Sequence, residues 1–125
     1  MTIATAIDRV DTLKPNHQSR EMKIAWLSEL DGLINREIIL KHVHPPEAES
    51  FEGYTPDTDD ETVLLAPHPY DEVYTYYLMA QVSLQNQEIA KYNNEKGLFA
   101  NSYELLNDYW TREHMPLSVR GELWL

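Results

Sequence analysis

The sequence predicts a mainly α-helical fold: a small four-helix, bundle-like domain with a long acidic, proline-rich loop between the second and third helices. Apolar residues recur at helical spacing in four separate stretches. Five prolines fall between residues 42 and 69, where no helical period is found. A chain of 125 residues with 42% hydrophobic and 25% charged residues has the size and composition of one globular domain.

The first helix has a clear stop signal and the second a clear start signal. Helix 1 is expected to end near Leu13, because Lys14 precedes a proline. Ser19 is the expected N-cap of helix 2, which should run from Arg20 to about Lys41. The predicted apolar stripe of helix 2 consists of Met22, Trp26, Leu27, Leu30, Leu33, Ile34 and Ile38, with Glu29, Asp31, Arg36 and Glu37 at its sides.

Residues 42–69 form the predicted loop. Thr62 to Leu65 could be a short strand, and Ser50 to Tyr54 its partner in a β-hairpin across the acidic turn. Long loops in compact domains are uncommon and are usually functional or mobile. Part of this loop is expected to project from the helical core.

Helices 3 and 4 carry most of the aromatic residues. Helix 3 should begin near Tyr70 with Asp71 as N-cap, and tandem asparagines at Asn93 and Asn94 predict a break before a last helix from Glu95 to His114. The chain therefore divides into one helical domain, residues 1–114, with the acidic loop at 42–69, and a C-terminal tail at 115–125.

The formal charge of −11 is unevenly distributed. No Lys or Arg occurs between His42 and Ala90, whereas that stretch holds ten acidic residues. Such a field repels phosphate and disfavours ordinary nucleic-acid binding. A solvated acidic loop is the plainest interpretation. An acidic surface for a basic partner, or one lining a passage to which DNA must not adhere, is also compatible with it.

The residues predict no catalytic, cofactor-binding or metal-binding site, and an enzyme is not expected. The chain has no cysteine, and its four glycines form no phosphate loop. His42 and His44 lack the further spaced ligands of a metal motif, and the stretch Asp57 to Glu61 lacks the glycine and glutamate of a calcium loop. No stretch approaches the apolar length of a membrane span.

Two sets of residues are candidates for protein contacts. Tyr76 is predicted to lie on the surface of helix 3, and aromatic residues at surfaces are enriched in interfaces. The tail is apolar at its end and is a candidate docking element. Its proposed contact residues are Leu117, Leu123, Trp124 and Leu125.

Four stretches together carry a family resemblance: WLSELDGLINREII (26–39), YDEVYTYYLMAQV (70–82), EIAKYNNE (88–95) and YWTREHMP (109–116). They resemble the head-tail connector, or adaptor, proteins encoded in the head-morphogenesis regions of phages and prophages of low-GC Gram-positive bacteria. The resemblance covers about three quarters of the chain and weakens in the acidic loop. It implies a mostly helical ring subunit that docks beneath the portal, between portal and tail-side neck proteins, with no cofactor.

The resemblance and the charge pattern lead to one expectation. A subunit of the virion neck, assembled in the host cytoplasm, would present acidic side chains to the DNA passage so that DNA slides without binding. The predicted channel-facing residues are Glu47, Glu49, Glu52, Asp57, Asp59, Asp60 and Glu61. The alternative function is an acidic binding module, of the anti-repressor or DNA-mimic type, that occupies a basic groove on its partner.

Overall fold

A computed structural model describes residues 1–117 and confirms the mainly helical fold. Its four helices are α1 (Ile3–Leu13), α2 (Arg20–Glu37), α3 (Glu72–Gln85) and α4 (Ile89–Glu113). Two short 3₁₀ turns, Ile39–Lys41 and Pro46–Ser50, follow α2. Among the described residues no helix has both the length and the apolar composition of a membrane span.

The start of each of the first two helices is determined by a local side-chain bond. Thr2 and Thr5 cap the start of α1 reciprocally, each side chain bonding the other residue's backbone N–H. Ser19 Oγ accepts the Met22 N–H at 3.1 Å, which confirms the predicted N-cap of α2. Helix α2 ends at Glu37, earlier than expected, because the chain tightens into the 3₁₀ turn that reaches Lys41.

The core is built around α3. Its side chains Val73, Tyr74, Leu78 and Val82 are fully buried, and α1, α2 and α4 all pack against this helix. Helix α4 is different: of its 25 residues only Glu95 and Leu106 are buried. The predicted apolar stripes therefore extend beyond the core, and Met22, Leu33, Ile89, Leu98 and Leu105 stay between 39% and 59% exposed.

The predicted helix break at Asn93 and Asn94 is wrong. Both asparagines are exposed inside the continuous helix α4, where packing of the helix along α3 outweighs their local preference for turns. The break lies earlier, at residues 86–88. Gln87 adopts a left-handed conformation with φ of 59°, and Glu88 N–H donates to Ser83 O at 2.9 Å.

The predicted β-hairpin in the loop does not form. No strand occurs within residues 1–117, and Val63 instead forms an isolated antiparallel bridge with Thr2. The reason lies at the start of α1, whose first N–H groups have no partner within the helix. Ile3 N–H donates to Thr62 O at 3.1 Å and Ala4 N–H to Asp60 O at 3.0 Å, so the loop supplies the missing acceptors.

Candidate interaction surfaces

The seven predicted channel-facing residues lie in one stretch, residues 47–61, which we call the acidic segment. All seven side chains are exposed. Asp60 forms an ion pair with Arg20 of α2, and Glu49 Oε1 lies 3.4 Å from His44 Nε2. For Glu47, Glu52, Asp57 and Glu61 no ion pair is found within residues 1–117. Most of the charge of the segment is therefore presented to solvent.

The acidic segment is held against α2 rather than projecting from the core, which corrects the expectation from its sequence. Gly53 has φ of +86°, and a Cβ at this position would collide with the Ser28 side chain. Only glycine allows so close an approach in a left-handed conformation. The next residue completes the contact, because Tyr54 N–H donates to Ser28 Oγ at 2.9 Å.

A buried carboxylate anchors the end of the loop that leads into α3. Asp31 of α2 is fully buried. Its Oδ2 accepts the Tyr54 hydroxyl at 2.5 Å and the Leu65 N–H at 3.1 Å, while its Oδ1 accepts the Tyr74 hydroxyl at 2.6 Å. The Tyr74 hydroxyl in turn accepts the Ala66 N–H at 2.7 Å. One side chain thus joins α2, α3 and both ends of residues 54–66.

We call Asp31, together with Tyr54, Tyr74 and Leu65, which donate to it, the Asp31 hub. Burial has the largest effect on the pKa values of its side chains. Desolvation raises the pKa of Asp31, and the donors Tyr54, Tyr74 and Leu65 lower it by a smaller amount. Burial and the nearby carboxylate raise the pKa of Tyr54 and Tyr74, so both phenols stay protonated and donate. The arrangement is a fully bonded structural contact.

Residues 115–117, the last that the structure describes, lie beside residues 42–44. Val43 N–H donates to Met115 O at 2.9 Å, and His42 bridges to Pro116. Val43, Met115 and Leu117 are 41%, 49% and 39% exposed, so an apolar surface surrounds the base of the tail. We call these three residues the exit surface. Leu123, Trp124 and Leu125, the other proposed tail contacts, lie outside the described residues.

A groove of about 270 Å³ lies between the acidic segment and the C-terminal part of α4. Trp110 Nε1 is buried there and has no acceptor within residues 1–117. Glu47 is at the edge of the groove, whose apolar lining is Ile39, Pro45, Ala48, Phe51, Leu65 and Trp110. Because Pro45 is close in sequence to Val43, the groove and the exit surface lie at the same end of the molecule.

The third interface candidate is Tyr76. It is only half-buried on α3, so part of its ring is available for contact.

The two histidines considered as metal ligands form hydrogen bonds within the chain. The His42 ring is buried, with Nδ1 2.5 Å from Ile38 O and Nε2 3.2 Å from Thr111 Oγ1. His44 Nδ1 is 2.6 Å from His42 O, a hydrogen bond that raises the pKa of His44. In residues 1–117 no group of acidic and histidine side chains has metal-binding geometry.

Sequence reasoning missed three features. Asp31 was expected beside the apolar stripe of α2, but it is buried; its position among Leu27, Leu30 and Ile34 was the available signal. Glu95, taken as the first residue of a separate helix, is buried inside α4 beside Ser83. The Trp110 groove has no local signal, because its lining comes from residues 35 to 110.

Comparison of the chain with protein-family models, with curated proteins and with solved structures gave no match.

Proposed function

We propose that this chain is a structural virion-assembly protein, a head-tail connector subunit that forms a ring on the portal and lines the DNA passage. The observation that carries the proposal is the acidic segment: seven exposed carboxylates on a stretch that is bonded to α2 through Tyr54 and Asp60. A surface of this kind repels DNA at short range without needing a specific sequence.

The acidic segment differs from an ordinary solvated loop because contacts with the helices hold it in place. A mobile loop carries its charge at no defined place, whereas Gly53, Tyr54 and the Asp31 hub hold this one against the helices. In a ring, the same segment from every subunit would form a continuous acidic belt around the passage. The contacts with portal and tail-side neck proteins would come from the exit surface, Tyr76 and the tail.

The first test is assembly of the chain, alone and with purified portal rings of a phage of low-GC Gram-positive bacteria. Size-exclusion chromatography with light scattering should show a large complex when portal rings are added. The second candidate function, an acidic module that occupies a basic groove, predicts a monomer or dimer that does not bind the portal. A map of the complex that placed residues 47–61 on the outer rim would contradict the passage-lining role.

The second test concerns the tail. Removing residues 117–125 should abolish docking on the portal and leave α1 to α4 folded, because α4 ends at Glu113. Circular dichroism checks that the helices remain. Tyr76→Ala provides a separate interface variant on α3. Docking that survives removal of the tail would show that the tail is not the portal contact.

A further inference from the structure

A cleft of about 760 Å³ lies at the opposite end of α4 from the exit surface, where the end of α1 meets the turn between α3 and α4. We call it the Glu95 cleft. Its apolar walls include Leu13, Met79 and Leu98, and its polar residues include Lys14, Glu88 and Glu95. None of the proposed assembly contacts within residues 1–117 lines it.

The polar centre of this cleft contains an unsatisfied buried acceptor. Glu95 is 5% exposed. Its Oε1 accepts from Ser83 Oγ at 2.6 Å and from Lys14 Nζ at 3.2 Å. Its Oε2 is buried and has no donor within residues 1–117. Buried carboxylate oxygens are normally hydrogen-bonded, so this atom is a position where a ligand can supply an N–H group.

The edge of the cleft is partly apolar, beside the exposed polar residues Asn86, Lys91 and Asn94. Leu13 and Leu98, which line it, are 55% and 39% exposed. Leu84 and Ile89, on either side of the α3–α4 turn, are 39% and 56% exposed. Exposed apolar side chains beside a polar, desolvated centre are typical of a pocket that receives an anchor side chain.

Charge determines which anchor fits. Lys14 Nζ is shared between Glu95 and Glu88, and Lys91 Nζ donates to Glu88 Oε2 at 2.8 Å. The charges of the cleft are therefore already paired, and the missing component is a donor for Oε2. In a chain of net charge −11, a cationic donor is favoured over an anionic or neutral one.

We propose that the Glu95 cleft binds an arginine side chain of a protein partner, presented between apolar residues. The planar guanidinium offers several donors to a carboxylate, and its aliphatic stem packs on Leu13, Met79 and Leu98. Lys91 also lines the cleft; its side chain is 65% exposed and, within residues 1–117, forms an ion pair with Glu88 alone, so it can move aside as arginine enters. The proposal is independent of the assembly role and would stand if that role failed.

The test is a titration of the ¹⁵N-labelled full-length chain with acetyl-Leu-Arg-Leu-amide, followed by NMR. We expect saturable shifts of the amides of Lys14, Asn86, Lys91 and Leu98. The matched peptide with citrulline in place of arginine keeps the shape and loses the charge. It should bind about tenfold more weakly, as for loss of one charge-assisted hydrogen bond. Equal affinities, shifts elsewhere, or no saturable shift would overturn the proposal.

Two variants locate the site. Glu95→Gln should remove the preference for arginine over citrulline. Because a buried substitution can unfold the chain, Leu98→Ser at the exposed edge is the second variant, and it should weaken binding of the arginine peptide severalfold. Leu105→Ser is its matched control, since Leu105 is exposed on the same helix and does not line the cleft. An equal effect of both serine variants would exclude the cleft as the site.

Discussion

At the residue scale, Asp31 determines where the loop lies. Three donors from three parts of the chain converge on one buried carboxylate. No short stretch of sequence could provide this arrangement. Its cost is desolvation, which the three hydrogen bonds offset only in part. Residues of this kind are sensitive to removal of any one partner, because the others stay buried.

The Tyr74 hydroxyl forms two hydrogen bonds in the hub, one as donor and one as acceptor. Tyr74→Phe removes a donor to Asp31 Oδ1 and an acceptor of the buried Ala66 N–H. We expect the free energy of unfolding to fall by about 1–3 kcal/mol, the cost of leaving buried groups unpaired. Urea denaturation measures it, with Tyr76→Phe as the control because Tyr76 is half-buried and two residues away. Equal losses in the two variants would contradict a special role for Tyr74.

The raised pKa of Asp31 predicts a pH dependence of stability. In the pH range between the ordinary value of 3.8 and the higher folded-state pKa, the native chain holds a proton that the unfolded chain has released. The contribution of Asp31 to stability is therefore present below pH 3.8 and is lost as the pH rises through the folded-state pKa.

Comparison with Asp31→Asn isolates this contribution, since the variant has no titrating group at the site and shares all other groups. The stability difference, wild type minus variant, should decrease as the pH rises from about 4 to 7. Urea unfolding at several pH values measures the difference. A difference that increases with pH would mean that hydrogen bonding, and not burial, controls the Asp31 pKa.

At the scale of elements, the turn between α3 and α4 is placed by packing. Gln87 adopts a left-handed backbone conformation, which lets α4 fold back along α3. The N–H groups of residues 86–88 donate hydrogen bonds to carbonyl groups in the last turn of α3. Tandem asparagines six residues later do not interrupt the helix. The position of the turn can be tested with glycine, which favours left-handed turns and weakens helices.

Gln87→Gly should raise the free energy of unfolding by about 0.5–1 kcal/mol, because glycine relieves the left-handed conformation. Ala100→Gly, at an exposed position within α4, should lower it by about 1 kcal/mol. Thermal or urea denaturation of the two variants measures the opposite signs. Destabilisation by both would place the left-handed turn elsewhere.

At the scale of the whole molecule, unbalanced charge is the dominant feature. A net charge of −11 on 125 residues, concentrated on one segment, repels itself in the folded state. The Asp60–Arg20 ion pair offsets only part of it. Assembly of such subunits into a ring would add to the repulsion and would therefore depend on salt or on a basic partner.

Salt should stabilise the isolated chain. Raising NaCl from about 20 mM to about 500 mM shortens the Debye length severalfold and should raise Tm by a few degrees. A control variant with Glu47→Gln, Glu52→Gln, Asp57→Asn and Glu61→Gln should show a clearly smaller increase. Scanning calorimetry gives both values, and equal increases would place the repulsion outside the acidic segment.

The sequence by itself determined the helical class, the C-terminal end of α1, the N-cap of α2 and the location of the acidic charge. Each depends on residues a few positions apart, such as the Ser19 cap or the Lys14–Pro15 stop. Only the tertiary structure decided that the loop lies on α2, that Asp31 and Glu95 are buried, and that the turn falls at Gln87. These features depend on groups far apart in the chain, whose hydrogen bonds and packing outweigh local preferences once the helices meet.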